Sequence, residues 1–331
     1  MKKLSTTLLG LALSLYMLGF TDAAWAAQSV DAADATNGQP QSEVTVIGKL
    51  DDKALNRAVN EFVQSHAKPG ALIGQVGRWR EKVCPGVSGL QRAADEFVSR
   101  RIVSLAHSVG APTPVAGKKC DVNVEVVFTR EPQALLDHIA KKYRPLLGYY
   151  RRAELKQVTT FSHPVQAWYV TGTRALNYLP PITGMSPPPC PTCDLTALFS
   201  TGLKVDSADS DGTSGLGASG NPESHLTRGL RSEFMHVLII ADSNAVARYS
   251  VQSISDYVAL LALTRIAAPD TCGGLPSIIN LFAADCTAPP AAITAADTAY
   301  LEALYGADLD MNLNIEQSDM HQRMLKVISS K

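Results

Sequence analysis

Long apolar runs are scarce in this chain. Beyond Leu8–Phe20 no stretch reaches the roughly 18 uninterrupted apolar residues of a bilayer-crossing helix, so no stable membrane insertion is expected of the remainder. Charge is sparse too: Asp, Glu, Lys and Arg make up 18% of the residues and the formal net charge is −1. With no dense Lys/Arg block, neither a nucleic-acid groove nor a membrane-surface patch is expected. The seven histidines, at 66, 107, 138, 163, 225, 236 and 321, include no i, i+4 pair. G-x-S-x-G and H-x-E…C-x-x-C patterns are missing as well, and with them the nucleophile and zinc sites they build. Gly215-x-Gly217-x-x-Gly220 has the form of a dinucleotide fingerprint. Ser, Asp and Gly surround it instead of a strand and a helix, so it reads as a flexible loop and no cofactor is expected.

What is present begins with residues 1–26. Lys2 and Lys3 form a positive start, Leu8–Phe20 an apolar run too short to span a bilayer, and Ala24-Trp25-Ala26 a peptidase site. The pattern predicts a signal peptide cut after Ala26 and a periplasmic or secreted protein. Residues 27–42 are small, polar and aperiodic, and read as a flexible leader. Hydrophobic residues at 46% predict a globular remainder. The 6 cysteines are even in number and bound for an oxidising compartment, which favours disulfides. Loop closure costs least between near neighbours, so the expected pairs are Cys84–Cys120, Cys190–Cys193 and Cys272–Cys286.

Hydrophobic periodicity predicts strands at 43–49, 121–129, 166–171 and 233–241. It predicts helices from Asp51 or Asp52 to His66, from Ser88 to Ser108 with Ser88 as N-cap, and from Pro132 to Tyr143. Further helices are expected at 251–266, 294–305 and 315–328, with a tight apolar loop at 273–282. The fold class is α+β: a mixed sheet with amphipathic helices, in an N-terminal half at 43–155 and a C-terminal half at 156–331. A long irregular segment at 173–231 crosses the second half; such a stretch is usually functional or disordered.

In the C-terminal half the order is strand, apolar helix, tight turn, then Thr294-Ala295-Ala296-Asp297 through Leu304-Tyr305. This order resembles the zincin-like fold of metzincin-type secreted proteases. There a helix carries H-E-x-x-H-x-x-G-x-x-H, a later S-x-M turn underlies the metal, and an L-T-x-x-D-x-x-A-L-x-x-L-Y helix closes the domain. The resemblance places Ser255, Ala259 and Arg265 at the ligand positions, Asp256 at the general-base position and Ser277-Ile278-Ile279 at the turn. A catalytic zinc needs three side-chain ligands, and this register supplies none. The resemblance therefore implies a degenerate scaffold that binds rather than cleaves.

Smaller motifs leave alternatives. Cys190-Pro191-Thr192-Cys193 is a C-x-x-C, read as a structural staple in a Pro-rich loop or as a thiol–disulfide site. Asp209-x-Asp211-Gly212 and Asp308-x-Asp310-x-Asn312 are partial calcium loops, read as solvated loops. Trp168 and Tyr169, with Tyr149 and Tyr150 before them, suit a core better than a ligand groove. His236 reads as a half-buried strand residue, and His225, in the loop, is the histidine most suited to function. The leading expectation is a non-catalytic exported protein binding an envelope component or protein partner. Two alternatives stand beside it: a metal-dependent hydrolase with non-standard ligands, drawing on His225, His236 and Asp242, and a thiol–disulfide protein using Cys190 and Cys193.

Overall fold

In a computed structural model the described residues are 51–329 apart from 71–73, 116, 176–229, 267–271 and 308–310. The predicted signal, the leader, the strand at 43–49, Cys190, Cys193, the glycine motif, the first calcium-like loop and His225 lie outside them.

Asp51 opens helix α1 (Asp52–His66), its carboxylate accepting from Ala54 N at 2.7 Å. Val59, Phe62, Val63 and His66 form its buried stripe at helical spacing. Strand β1 (Pro85–Ser88) and helix α2 (Arg92–Ser108) follow. Ser88 is therefore the last residue of a strand and not the N-cap the sequence suggested. Gly89 separates the two elements at φ 102°, and a Cβ there would lie 1.9 Å from the Phe128 carbonyl oxygen, so only glycine lets the chain turn this close to its neighbour. Strand β2 (Val124–Thr129) leads to helix α3 (Pro132–Lys142), which starts on proline. Two 3₁₀ turns (Arg144–Leu147 and Arg152–Glu154) and a short helix α4 (Leu155–Val158) complete this part.

Strands β3 (Val165–Ala175) and β4 (Leu230–Asp242) are longer than their apolar cores predicted. They extend four residues further at Thr171 and three residues earlier at Glu233, into the segment read as loop. The sheet order is β1-β2-β4-β3, with β1, β2 and β4 parallel and β3 an antiparallel edge. Strands from both sides of residue 155 thus share one sheet, and Gln41–Lys331 forms one unit.

After β4 come a short helix α5 (Ser243–Val246) and helix α6 (Val251–Leu263). A 3₁₀ turn (Ile278–Phe282), helix α7 (Ala295–Gly306) and helix α8 (Leu313–Ser329) end the chain. One face of the sheet, with Val124, Val126, Phe128, Val237 and Ile239, packs in the large core with α1, α2, α6, α7 and α8. The other face, with Trp168, Leu238 and Ile240, packs on Leu136 and Ile139 of α3 and on Leu146 and Leu147. Val237 to Ala241 is buried at every residue because both faces of β4 are covered. Trp168 is core, its indole N–H donating to Val158 O at 2.8 Å.

Cys84 pairs with Cys120 and Cys272 with Cys286, with Cα–Cα separations of 6.0 and 5.3 Å. No helix among the described residues is long and apolar enough to cross a membrane.

Candidate functional site

Every residue of α6 from Ser253 to Leu263 is buried. The helix is apolar nearly all round, which suits a helix packed on all sides. Ser250 caps its start, accepting from Ser253 N at 3.0 Å. The three positions aligned with metal ligands are otherwise engaged. The Ser255 hydroxyl donates to Val251 O at 2.6 Å, Ala259 is fully buried, and the Arg265 guanidinium, beyond the helix end, donates to Pro69 O at 3.0 Å. Asp256, at the general-base position, is a fully buried tie between elements. It accepts from Arg101 Nε of α2, from Gln252 Nε2 at 2.9 Å and from Ile293 N at 2.9 Å. A hydroxyl, a methyl and a guanidinium form no zinc donor set, so the residues here do not fit a catalytic zinc.

The C-terminal end of α6 is closed by side chains. A helix leaves its last four carbonyls without intrahelical partners, and burial makes each costly unless capped. Trp79 Nε1 donates to Ala262 O at 2.7 Å and the Tyr305 hydroxyl to Leu263 O at 2.8 Å. The Tyr169 hydroxyl lies 2.9 Å from Leu261 O and 3.0 Å from Thr264 O. Burial pushes both phenols above their ordinary range, so they remain neutral donors. Arg78, next to Trp79, serves α7 in the same way: its Nη1 lies 2.8 Å from Leu304 O and 2.9 Å from Tyr305 O and Ala307 O. A cation at the negative end of a helix is favoured twice over, by charge and by hydrogen bonding. The Gly77–Trp79 segment thus joins two helix ends, and a Cβ at Gly77 would lie 2.9 Å from the Phe234 ring.

The turn beneath α6 is held by Asp297. Its carboxylate accepts from Ile278 N at 2.9 Å, Thr294 N at 3.0 Å and the Ser277 hydroxyl, while Thr294 Oγ1 accepts from Asp297 N at 3.0 Å. This is a capping box shared with a neighbouring turn. Burial pushes the Asp297 carboxyl up, against the pull of these donors.

Among the described residues the other candidates do not converge. His236 is buried on β4 with Nε2 3.4 Å from Glu125 Oε2 on β2, deeper than the half-buried site expected of it. Asp242 ends β4 and caps α5, accepting from Asn244 N at 2.9 Å. Six residue steps of extended chain carry β4 from His236 to Asp242, about 20 Å, so they do not share one site. Asn312, of the second calcium-like loop, caps α8 by accepting from Ile315 N at 3.2 Å. Among the described residues one group of three metal-type side chains lies within 4.8 Å: Cys272, Asp285 and Cys286. Two of the three are joined as a disulfide and offer no thiolate. Ser65-His66-Ala67-Lys68 has the S-x-x-K spacing of a serine nucleophile with a lysine base. Ser65 Oγ donates to Phe62 O at 2.9 Å and Lys68 Nζ lies 3.5 Å from Gln64 O, so the two serve separate carbonyls of α1.

Comparison with known protein families, curated proteins and solved structures returns no match.

Proposed function

We propose that this chain is a non-catalytic exported protein that binds an envelope component or a protein partner, on a zincin-like scaffold whose metal site has been converted to structure. The observation that carries the reading is the state of α6. Its ligand-aligned positions hold Ser255, Ala259 and Arg265, and its acid-aligned Asp256 is committed to Arg101, Gln252 and Ile293. The order β4, α6, Ser277 turn and capped α7 supports the scaffold part of the reading. Two disulfides suit an oxidising compartment and support export.

The test is incubation with an unfolded protein substrate in the presence of zinc, with and without a chelator. No chelator-sensitive cleavage is expected. Cleavage abolished by chelation, and again by Asp256→Asn, overturns the reading.

A further inference from the structure

The low net charge conceals a local concentration of cations. From the last turn of α3 to the first of α4 lie Lys141, Lys142, Arg144, Arg151, Arg152 and Lys156, against a single carboxylate, Glu154. All six cations are exposed. None is ion-paired with a carboxylate among the described residues. Glu154 is itself exposed and accepts from Arg151 N at 2.8 Å, so one carboxylate stands among the six cations. No dense Lys/Arg block marks a membrane-surface patch in the sequence, yet these six cations are exposed in one short segment.

Folding explains the presentation. Leu146 and Leu147 are buried on the sheet face beside Trp168, pinning the middle of the segment. Gly148 has φ 73°, and a Cβ there would lie 2.2 Å from Tyr169 O, so the turn sits directly against β3. With its apolar side fixed inward, the segment turns its cations outward. Two uncharged side chains stand out with them: Tyr149, 51% exposed, and Leu155, 36% exposed.

We propose that the 141–156 segment docks the protein on an anionic phospholipid surface. Each Lys or Arg near an anionic bilayer surface contributes about 1 kcal/mol, and an exposed tyrosine and leucine among six such cations suit the interface between headgroup and acyl chain. The observations favour lipid over nucleic acid. Tyr143 and Tyr150, the other aromatics of the segment, pack against the core, and the Arg144 guanidinium lies 5.3 Å from the Tyr150 ring centre, so both offer little face for base stacking. The inference is independent of the scaffold reading: zinc-dependent cleavage overturns that reading and leaves this one standing.

The experiment is co-sedimentation of the mature protein with vesicles of phosphatidylcholine alone and of phosphatidylcholine with phosphatidylglycerol. Binding is expected only to the anionic vesicles and is lost near 0.5 M salt, where charges more than about 5 Å apart are screened. Arg151→Ala with Arg152→Ala is expected to weaken it roughly 30-fold, with an unchanged circular dichroism spectrum. Tyr149→Ser with Leu155→Ser weakens it while keeping the salt dependence. Equal binding to neutral vesicles, no binding to either, or an unaffected arginine variant overturns the proposal. So does single-stranded DNA that binds the segment while anionic vesicles do not, or inorganic phosphate at about 10 mM that abolishes vesicle binding.

Discussion

Trp79 donates its indole N–H to the carbonyl of Ala262 across 183 positions of sequence. The bond ties the strandless segment before β1 to the end of the most buried helix. It explains why an aromatic with a donor is needed there, since a buried helix-end carbonyl without a partner is costly. Trp79→Phe keeps most of the ring and removes the donor. Urea denaturation is expected to show a loss of about 1–3 kcal/mol. A variant as stable as the parent contradicts the cap.

Arg101 and Asp256 join α2 to α6 with the carboxylate fully buried and the guanidinium 28% exposed. Arg101→Met leaves that carboxylate with uncharged donors only, at a cost of about 3–5 kcal/mol. Adding Asp256→Asn is expected to recover part of the loss. A double-mutant cycle in which the two changes add independently contradicts the pairing.

His66 stacks on Phe62 with ring centroids 3.8 Å apart and lies edge-on to Tyr300. Burial opposes its charge, and Lys68 adds to that against the Phe62 carbonyl, lowering the pKa from 6.5 to about 4. A lowered folded-state value means the contribution to stability is complete above pH 6.5 and is lost as pH falls towards 4. The loss is about 3 kcal/mol, from roughly 1.4 kcal/mol per pH unit. The stability difference between the parent and His66→Phe is expected to slope through this window. A flat difference contradicts the burial of a neutral imidazole. Asp297 acts with the opposite sign, because its carboxyl is raised and its contribution is lost as pH rises through the folded-state value.

The two disulfides close loops of unequal span, 36 and 14 residues. Chain entropy gives about 4 kcal/mol for Cys84–Cys120 and about 3 kcal/mol for Cys272–Cys286. Replacing each pair by serine and comparing thermal unfolding checks the order. Loss of the shorter bridge costing more than loss of the longer contradicts the entropic account.

Much of the helical frame was legible in the residues. Val59, Phe62, Val63 and His66 recur at helical spacing, and Thr294 with Asp297 spells a capping box. β1 was hidden because Pro85-Gly86-Val87-Ser88 offers one good strand former; parallel pairing with Val124–Val127, far along the chain, decides its conformation. The ends of β3 and β4 were missed for the same reason: cross-strand pairing carries residues such as Gly172 and Ser232 that alone resemble loop. The apolar run of α6 was legible as a helix, and the structure buries it from Ser253 to Leu263. Arg78 and Trp79 were not legible, because their role depends on helix ends more than 180 residues away. Nor did 141–156 stand out, since its cations are spread in pairs and singles and form no dense Lys/Arg block; their common exposure shows only in the fold.

The most direct test of the central claim is metal analysis of the untagged protein purified without added metal or chelator. The account predicts far less than one zinc per chain and a melting temperature unchanged by a chelator. About one tightly held zinc per chain, with a melting temperature that falls on chelation, would contradict it.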